Sequence, residues 1–181
     1  MPRIQPVNRT AADPAVSELL ATVRKKIGTV PNIIATMANS SAVAEAYLGF
    51  SQALSKGTLP ARLREQLALV VGESNGCGYC VAAHTALGKG VGLSERETQD
   101  ARLALSSDEK ERAALEFAMK VVRSRGAVED QDVEEIRRAG YTDGEVGEIV
   151  AHVALNVFTN YFNLVAQTEV DFPPAPSLAA A

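Results

Sequence analysis

The chain has 181 residues, 46% hydrophobic and 22% charged, which is the length and composition of one soluble globular domain. Its formal net charge of −4 excludes the basic surface that binds nucleic acid. No uninterrupted apolar run approaches the ~20 residues of a membrane span, and the first residues lack the apolar stretch of a signal peptide. We therefore predict a cytoplasmic protein with neither a nucleic-acid nor a membrane partner.

Apolar residues recur at helical spacing along the whole chain, and no useful segment alternates as a β-strand does. Asp13 and Pro14 are typical of a helix start, and Gly28 is typical of a helix end. In the first half the pattern predicts helices over residues 14–27, 31–37, 43–54, 60–74 and 77–87. The fifth of these begins at the only two cysteines of the chain.

In the second half, helix starts are indicated by capping boxes, in which a Ser or Thr precedes a Glu by three residues. The boxes are Ser94–Glu97, Ser106–Glu109 and Thr142–Glu145. A short polar helix is predicted over 130–138, and a long apolar stripe follows the last box. We predict an all-α fold with a single domain over residues 1–171 and a flexible tail over 172–181.

Cys77 and Cys80 form a Cys-x-x-Cys motif. Two cysteines are too few for a disulfide scaffold, and in a reducing compartment this motif indicates redox or metal chemistry. At ~100° per residue, Cys77, Cys80 and His84 fall within ~60° of one another around the fifth helix. The three side chains are therefore predicted on one face, within the first two turns.

This placement favours thiolate over thiol. The free N–H groups at a helix start carry partial positive charge, and His84 can take a proton from a cysteine one turn away. A thiolate reacts with disulfides and peroxides, and a second thiol three residues away can convert a sulfenic acid into an intramolecular disulfide. The motif therefore indicates a redox site.

Two other interpretations of the cysteines are possible. Buried cysteines are often inert small hydrophobic residues. A structural zinc site would need four ligands, whereas Cys77, Cys80 and His84 supply three and the only other histidine is His152. We favour redox chemistry without a metal, and we interpret His152 as a packed or interface residue.

A carboxylate is the remaining group that a proton relay would need. Glu65 and Glu73 are the candidates, and both lie in the predicted helix that precedes the cysteines. They are eight residues apart, so the sequence leaves open which of them approaches the thiols.

Three motifs occur in order along the chain: Pro60-x-x-x-Arg64-Glu65, Asn75-Gly76-Cys77-Gly78-Tyr79-Cys80, and His84. In this combination they resemble the AhpD-like alkylhydroperoxidase branch of the carboxymuconolactone decarboxylase superfamily. The core of the resemblance covers about residues 44–91. The stretch 156–163 and Asp171-Phe172-Pro173 are similar to the peroxidase-related subgroup.

The resemblance implies a compact all-α domain that assembles as a homo-oligomer, either a trimer, a dimer or a hexamer. It implies an antioxidant enzyme that reduces organic hydroperoxides through a cysteine pair cycling between dithiol and disulfide, without a metal or organic cofactor. It assigns Cys80 as the peroxidatic cysteine, Cys77 as the resolving one, and Glu65 and His84 as the proton relay. A lipoyl or thioredoxin-like dithiol protein would supply the electrons.

One position departs from the family pattern. AhpD has a histidine immediately before the second cysteine, where this chain has Tyr79. Tyrosine, with a pKa near ~10, is mainly a hydrogen-bond donor at neutral pH rather than a base. The helix start favours Cys77 as the more acidic thiol, whereas the resemblance favours Cys80, and we follow the resemblance.

The alternatives to a peroxidase use the same scaffold differently. A general thiol–disulfide oxidoreductase or redox sensor would exchange disulfides rapidly but react slowly with hydroperoxides. A non-catalytic helical oligomer module would have unreactive thiols. The decarboxylase or lactone chemistry of the superfamily name does not use a cysteine pair, so the motif argues against it.

Overall fold

The computed structural model describes residues 1–8 and 13–178, and within them the chain forms nine α-helices and no β-strand. The helices are α1 (Pro14–Ile27), α2 (Asn32–Met37), α3 (Ser41–Leu54), α4 (Ala61–Ser74), α5 (Gly78–Gly90), α6 (Glu95–Arg102), α7 (Glu109–Ser124), α8 (Asp130–Arg138) and α9 (Asp143–Ala166). This confirms the all-α prediction.

Two of the three predicted capping boxes are present, at the starts of α6 and α9. The third prediction is wrong, because the N-cap of α7 is Asp108, whose carboxylate accepts from the backbone N–H of Glu111 at 2.9 Å. Ser106 instead donates its hydroxyl to the Glu111 carboxylate at 2.9 Å. That carboxylate also accepts from Arg62 and Gln66 of α4, so Ser106 belongs to a network between helices rather than to a cap.

The fourth helix is the centre of the fold and packs against α5, α6, α7 and α9. It continues into α5 through a tight turn at Gly76, whose φ of +66° lies in the left-handed region that glycine adopts without strain. The next residue, Cys77, donates its backbone N–H to Gly72 O at 2.9 Å. The turn therefore fixes the start of α5 against the end of α4.

Two apolar clusters make up the core. The larger is formed mainly by α4, α7 and α9, with contributions from α6 and α8. The second lies where α1, α2 and α3 cover the start of α5, and it contains Cys77, Tyr79 and Cys80. Both cysteines therefore lie in the core, not at the surface.

The last helix, α9, has 24 residues and a hydropathy that would allow it to cross a membrane, by length and composition alone. Half of its most apolar window is buried within the protein. Its buried face also carries the polar residues His152, Asn156, Asn160 and Asn163. These features are typical of a core helix in a soluble protein.

Residues 171–177 follow α9 and are called here the C-terminal strap. The ring of Phe172 meets the ring of Tyr79 edge to face, with centroids 5.7 Å apart. Arg102 and Gln99 of α6 donate to the carbonyl oxygens of Pro176 and Ser177 at 2.6 and 2.9 Å. The strap thus joins α5 and α6, and the flexibility predicted for residues 172–181 stays a prediction.

Candidate active site

The two cysteines lie at the first turn of α5. Cys77 is the N-cap, and its sulfur accepts the backbone N–H of Cys80 at 3.3 Å. The two Cα atoms are 5.3 Å apart and the sulfurs are at disulfide-bonding distance. The side chains are nearly inaccessible, since Cys77 is 1% and Cys80 is 3% exposed. The motif therefore forms a redox-competent pair inside the core.

The sulfur of Cys80 has a polar neighbour of its own, which the sequence did not reveal. Asn163 of α9 donates its Nδ2 hydrogen to Cys80 Sγ at 3.3 Å. The two residues are 83 positions apart, and Asn163 is itself buried. The sequence analysis used the stretch 156–163, which contains Asn163, only for its resemblance to the peroxidase-related subgroup.

His84 lies one turn after Cys80 on α5, as the spacing predicted. Its Nδ1 is 2.7 Å from Glu65 Oε2 of α4. The side chains of His84 and Glu65 are 24% and 21% exposed, so the pair is partly shielded from solvent. With Nδ1–H donated to the carboxylate, Nε2 remains the nitrogen that can exchange a proton.

Glu73, the other predicted carboxylate, has a different partner. It accepts from Arg102 Nε of α6 at 2.8 Å, and about a third of its side chain is exposed. Of the two candidate carboxylates, Glu65 is therefore the one that the fold brings to the histidine.

A polar cavity of about 190 Å³ opens beside the Glu65–His84 pair. We call it the relay cavity, and its polar lining includes Tyr47, Arg64, Glu65, His84, His152 and Asn156. His152 is buried, and burial, reinforced by the charge of Arg64, lowers its pKa. Its Nε2 has no hydrogen-bond partner within the described residues. The packed histidine predicted from sequence thus also faces a cavity.

Tyr79 occupies the position where AhpD has a histidine, and the structure gives it a fixed set of partners. Its hydroxyl donates to Asp171 Oδ1 at 2.8 Å and accepts from the backbone N–H of Ile33 at 3.3 Å. The other oxygen of Asp171 accepts from the backbone N–H of Asn32 at 2.8 Å. Burial, together with the hydrogen bond to Asp171, raises the pKa of Tyr79 well above its usual value. The phenol is therefore a neutral donor that ties α5 to α2 and the strap.

A second, larger cavity of about 590 Å³ lies between the α4–α5 turn and the strap. Its lining is mainly apolar and includes Gly76, Gly78, Val81, Phe172 and Pro174. Gly76 and Gly78 are the two neighbours of Cys77 in the chain, so this strap groove lies on the side of Cys77.

Metal binding has no support from the geometry. Across residues 1–8 and 13–178, no three His, Cys, Asp or Glu side chains are grouped as a metal site requires. The chemistry open to the site is that of the two sulfurs, the imidazole and the carboxylate.

Comparison with known proteins gives matches to a family and to several structures. Residues 41–120 match the model of the carboxymuconolactone decarboxylase family. No curated protein matches the sequence significantly. The structure is similar to that of an alkylhydroperoxidase AhpD core, a peroxidase-related protein from Ralstonia eutropha JMP134, with 25% identity and a TM-score of 0.85 over 94% of this chain and 92% of that chain.

Two other structures share the fold at lower identity. A peroxidase-related protein from Silicibacter sp. TM1040 is 23% identical, with a TM-score of 0.80 over 92% of this chain and 91% of that one. The debrominase Bmp8, in complex with 2,3,4-tribromopyrrole, is 24% identical, with a TM-score of 0.79 over 93% of this chain and 91% of that one. The family match, the shared fold and the conserved arrangement of helices agree with the resemblance found in the motifs. Residues 41–120 are therefore similar to the carboxymuconolactone decarboxylase family, and the fold of the chain is AhpD-like.

Proposed function

We propose that the chain is a cysteine-dependent hydroperoxide reductase that cycles Cys77 and Cys80 between dithiol and disulfide. The observation that carries the proposal is the 2.7 Å contact between His84 and Glu65, one turn from a buried pair of cysteines at bonding distance. A nucleophile, a base beside it and a group that orients the base are the parts that covalent catalysis requires.

In the first step, His84 takes the proton of Cys80, and the resulting thiolate attacks the hydroxyl-bearing oxygen of the hydroperoxide. The O–O bond breaks, and the departing alkoxide takes a proton from His84 to leave as an alcohol. Cys80 is oxidised to a sulfenic acid. Glu65 accepts Nδ1–H of His84 and so holds the imidazole in one orientation.

In the second step, the sulfur of Cys77 attacks Cys80 Sγ. Hydroxide leaves with the proton of Cys77 as water, and the disulfide forms. One hydroperoxide and two thiols are thus converted to one alcohol, one water and one disulfide. The 5.3 Å separation of the two Cα atoms supports this step, because it allows the bond without a movement of the backbone.

An external dithiol then has to reduce the disulfide by exchange. Both sulfurs are buried, which disfavours direct docking of a flat protein surface on them. The apolar strap groove beside Cys77 favours a slender dithiol arm, such as a lipoyl group, over a thioredoxin-like surface. The reductant in this proposal is therefore a lipoyl protein that reaches Cys77 through the groove.

We also expect a homo-oligomer. The outer side of α9 exposes large apolar side chains, namely Val150, Phe158, Tyr161, Leu164 and Val165. Such a row is more apolar than the surface of most monomers and supports association. Sedimentation velocity measures the assembly, and a monomer at all concentrations would contradict this expectation.

The proposal is tested by mass spectrometry of the reduced protein before and after one equivalent of cumene hydroperoxide. We expect the unmodified protein to form the Cys77–Cys80 disulfide and release one cumyl alcohol. Cys77→Ser should stop at a sulfenic acid that dimedone traps, and Cys80→Ser should consume no peroxide. Full peroxide turnover by Cys80→Ser would refute the mechanism.

Two competing functions are separated by the same protein samples. The similarity to Bmp8 raises reductive debromination, since a thiolate pair supplies the two electrons that replace bromine by hydrogen. Release of bromide from 2,3,4-tribromopyrrole without reaction with peroxide would favour that function. Rapid oxidation of the thiols by a disulfide reagent together with inert behaviour toward peroxide would favour a general thiol–disulfide oxidoreductase. Thiols inert to all three reagents would leave a non-catalytic oligomer module.

A further inference from the structure

The contact between Asn163 and Cys80 is a polar contact at the cysteine sulfurs that the mechanism above does not use. Asn163 Nδ2 lies 3.3 Å from Cys80 Sγ, within the range of an N–H···S hydrogen bond. The other end of the amide, Oδ1, is buried and has no hydrogen-bond partner among the described residues. The amide thus makes its one hydrogen bond to the sulfur.

The orientation of this amide depends on the protonation of the sulfur. A sulfur without hydrogen, either in a disulfide or as a thiolate, can only accept, so it fits the Nδ2 donor. A protonated thiol carries a hydrogen as well, which Oδ1 would accept if the amide turned over, so it fits the Nδ2 donor less completely. The observed arrangement therefore matches the two states of Cys80 that lack a proton.

The two sulfurs compete for the negative charge of the reduced pair. Cys77, as the N-cap of α5, accepts the backbone N–H of Cys80 and lies at the positive end of the helix. These features alone would make Cys77 the more acidic thiol, as in other helix-start motifs. Among the described residues no backbone N–H donates to Cys80 Sγ, and the side chain of Asn163 supplies a donor from a different helix.

Few other charges face this part of the core. The helices α1 and α2 contribute apolar side chains to the cluster around the cysteines, and α3 contributes Tyr47. Burial, and to a lesser extent the charge of Glu65, raises the pKa of Tyr47, so its phenol is neutral. The titratable groups of α4, α5 and α9 nearest this part of the core include three pairs, Glu65 with His84, Glu73 with Arg102 and Tyr79 with Asp171. Two further groups line the relay cavity: His152, and Arg64, whose guanidinium donates to Leu54 O at 3.3 Å. Within the described residues, the side-chain donor recorded at Cys80 Sγ is Asn163 and none of these charged groups.

We propose that Asn163 is a catalytic residue that makes Cys80, rather than Cys77, the attacking thiolate, by donating its amide N–H to Cys80 Sγ. The proposal rests on the proposed function for the reaction that the thiolate performs, but the preference for Cys80 exists without any peroxide. Nucleophilic attack then begins at the sulfur adjacent to His84, and Cys77 keeps the proton that it loses as it forms the disulfide.

Substitution of Asn163 by leucine removes the donor and keeps a similar side-chain volume. The matched control is Asn160→Leu, because Asn160 is also buried on α9, one turn earlier, and hydrogen-bonds Asn75 at 2.9 Å instead of a cysteine. Asn163→Asp is a second variant, with the same shape and no N–H donor. Circular dichroism of each variant establishes that it is folded.

The first measurement is a pH titration of thiolate ultraviolet absorbance in the Cys77→Ser background, where Cys80 is the only thiol. We expect Asn163→Leu to raise the pKa of Cys80 by about one unit, which lowers the thiolate fraction about tenfold below that pKa. Asn163→Asp should raise it at least as much, because a carboxylate also repels the thiolate. Asn160→Leu should leave it unchanged.

The second measurement uses the protein with both cysteines, reduced and then briefly treated with iodoacetamide. Mass spectrometry should find most of the label on Cys80 in the unmodified protein and a shift of the label to Cys77 in Asn163→Leu. An unaltered pKa and label distribution, or equal changes in Asn160→Leu, would overturn the proposal. Because neither measurement contains peroxide, a protein that shows the Asn163 effect but reduces no hydroperoxide would refute only the proposed function.

Discussion

The relay cavity and the C-terminal strap both adjoin α5, and they differ in how completely their polar groups are paired. At the strap, Tyr79 both donates and accepts, and each carboxylate oxygen of Asp171 accepts an N–H or O–H. In the relay cavity, by contrast, His152 Nε2 has no partner in the described parts of the chain. The hydrogen bonds of Tyr79 and Asp171 at the strap are complete, as in a structural contact. The relay cavity instead contains a histidine nitrogen without a hydrogen-bond partner among the described residues.

The same contrast separates the two glutamates of α4. Glu65 contacts the imidazole of a histidine, and Glu73 contacts the guanidinium of an arginine, which stays charged. A carboxylate paired with a titratable group can orient proton transfer, whereas one paired with a permanent cation holds two helices together. The following predictions test whether this difference in partners corresponds to a difference in role.

The largest effect is expected for Glu65→Gln. The amide cannot hold the imidazole as the carboxylate does, so the rate of peroxide-dependent disulfide formation should fall by about 10²–10⁴-fold. Stopped-flow measurement of peroxide consumption gives this rate, and Glu73→Gln on the same helix is the control, with a rate within about twofold of the unmodified protein. Equal losses in both variants would remove the distinction between the two glutamates.

Tyr79→Phe should reduce stability rather than chemistry. It leaves the Ile33 N–H without an acceptor in a buried setting and deprives Asp171 of a donor, which should lower the free energy of unfolding by about 1–3 kcal/mol. Urea unfolding of the reduced protein measures the change. Tyr161→Phe is the control, because Tyr161 is 56% exposed and should change stability by less than about 0.5 kcal/mol. A loss of turnover in Tyr79→Phe at unchanged stability would give Tyr79 a chemical role.

His152 should make stability depend on pH, because burial lowers its pKa from the ordinary value of 6.5. Above that pH the histidine is neutral in both states and has no effect. As the pH falls below it, the unfolded chain binds a proton that the folded chain does not, so the free energy of unfolding decreases.

The decrease attributable to His152 should be at most about 1.4 kcal/mol per pH unit and should continue down to its lowered pKa. It is measured as the difference between the unmodified protein and His152→Gln in urea unfolding at several pH values between about 6.5 and 5.5. Parallel pH curves for the two proteins would show that His152 is protonated in the folded state as easily as in the unfolded chain.

The smallest effect is expected for the stability of Glu73→Gln. The ion pair with Arg102 is partly open to solvent, so its loss should cost less than about 1 kcal/mol. The cost should shrink further in high salt, because screening already weakens the pair. A loss above that value, independent of salt, would show that Glu73 holds the α4–α6 contact by more than charge attraction.

Local patterns predicted most of the helices, because each needs only its own apolar spacing and its own cap. The error at α7 has a tertiary cause: Ser106 was placed in a cap, but the Glu111 carboxylate that it contacts belongs to a network with Arg62 and Gln66 of α4. A capping motif in sequence cannot show that one of its members has a better partner elsewhere.

The residues of the candidate site also differ in whether local sequence patterns or tertiary contacts determine their positions. Cys77 is the N-cap of α5, and Cys80 and His84 lie within that helix, so their closeness along one element followed from the sequence, and their common face stays a prediction from spacing. Glu65 and Glu73 differ by about 80° around α4, and choosing between them required the positions of α5 and α6. The role of Asn163 could not be predicted from the sequence, because its contact with Cys80 joins two helices that are far apart in the chain.

The long separation in sequence between contact partners also determines which contacts can form early and which form late during synthesis of the chain. Asn163 and Asp171 follow their partners on α5 by 83 and 92 positions, so the ribosome releases both cysteines long before the residues that enclose and orient them. Until α9 and the strap emerge, the nascent chain carries two open thiols without the amide donor at Cys80. The hydrogen bonds from Asn163 to Cys80 and from Tyr79 to Asp171 can therefore form only after nearly all of the chain has been made.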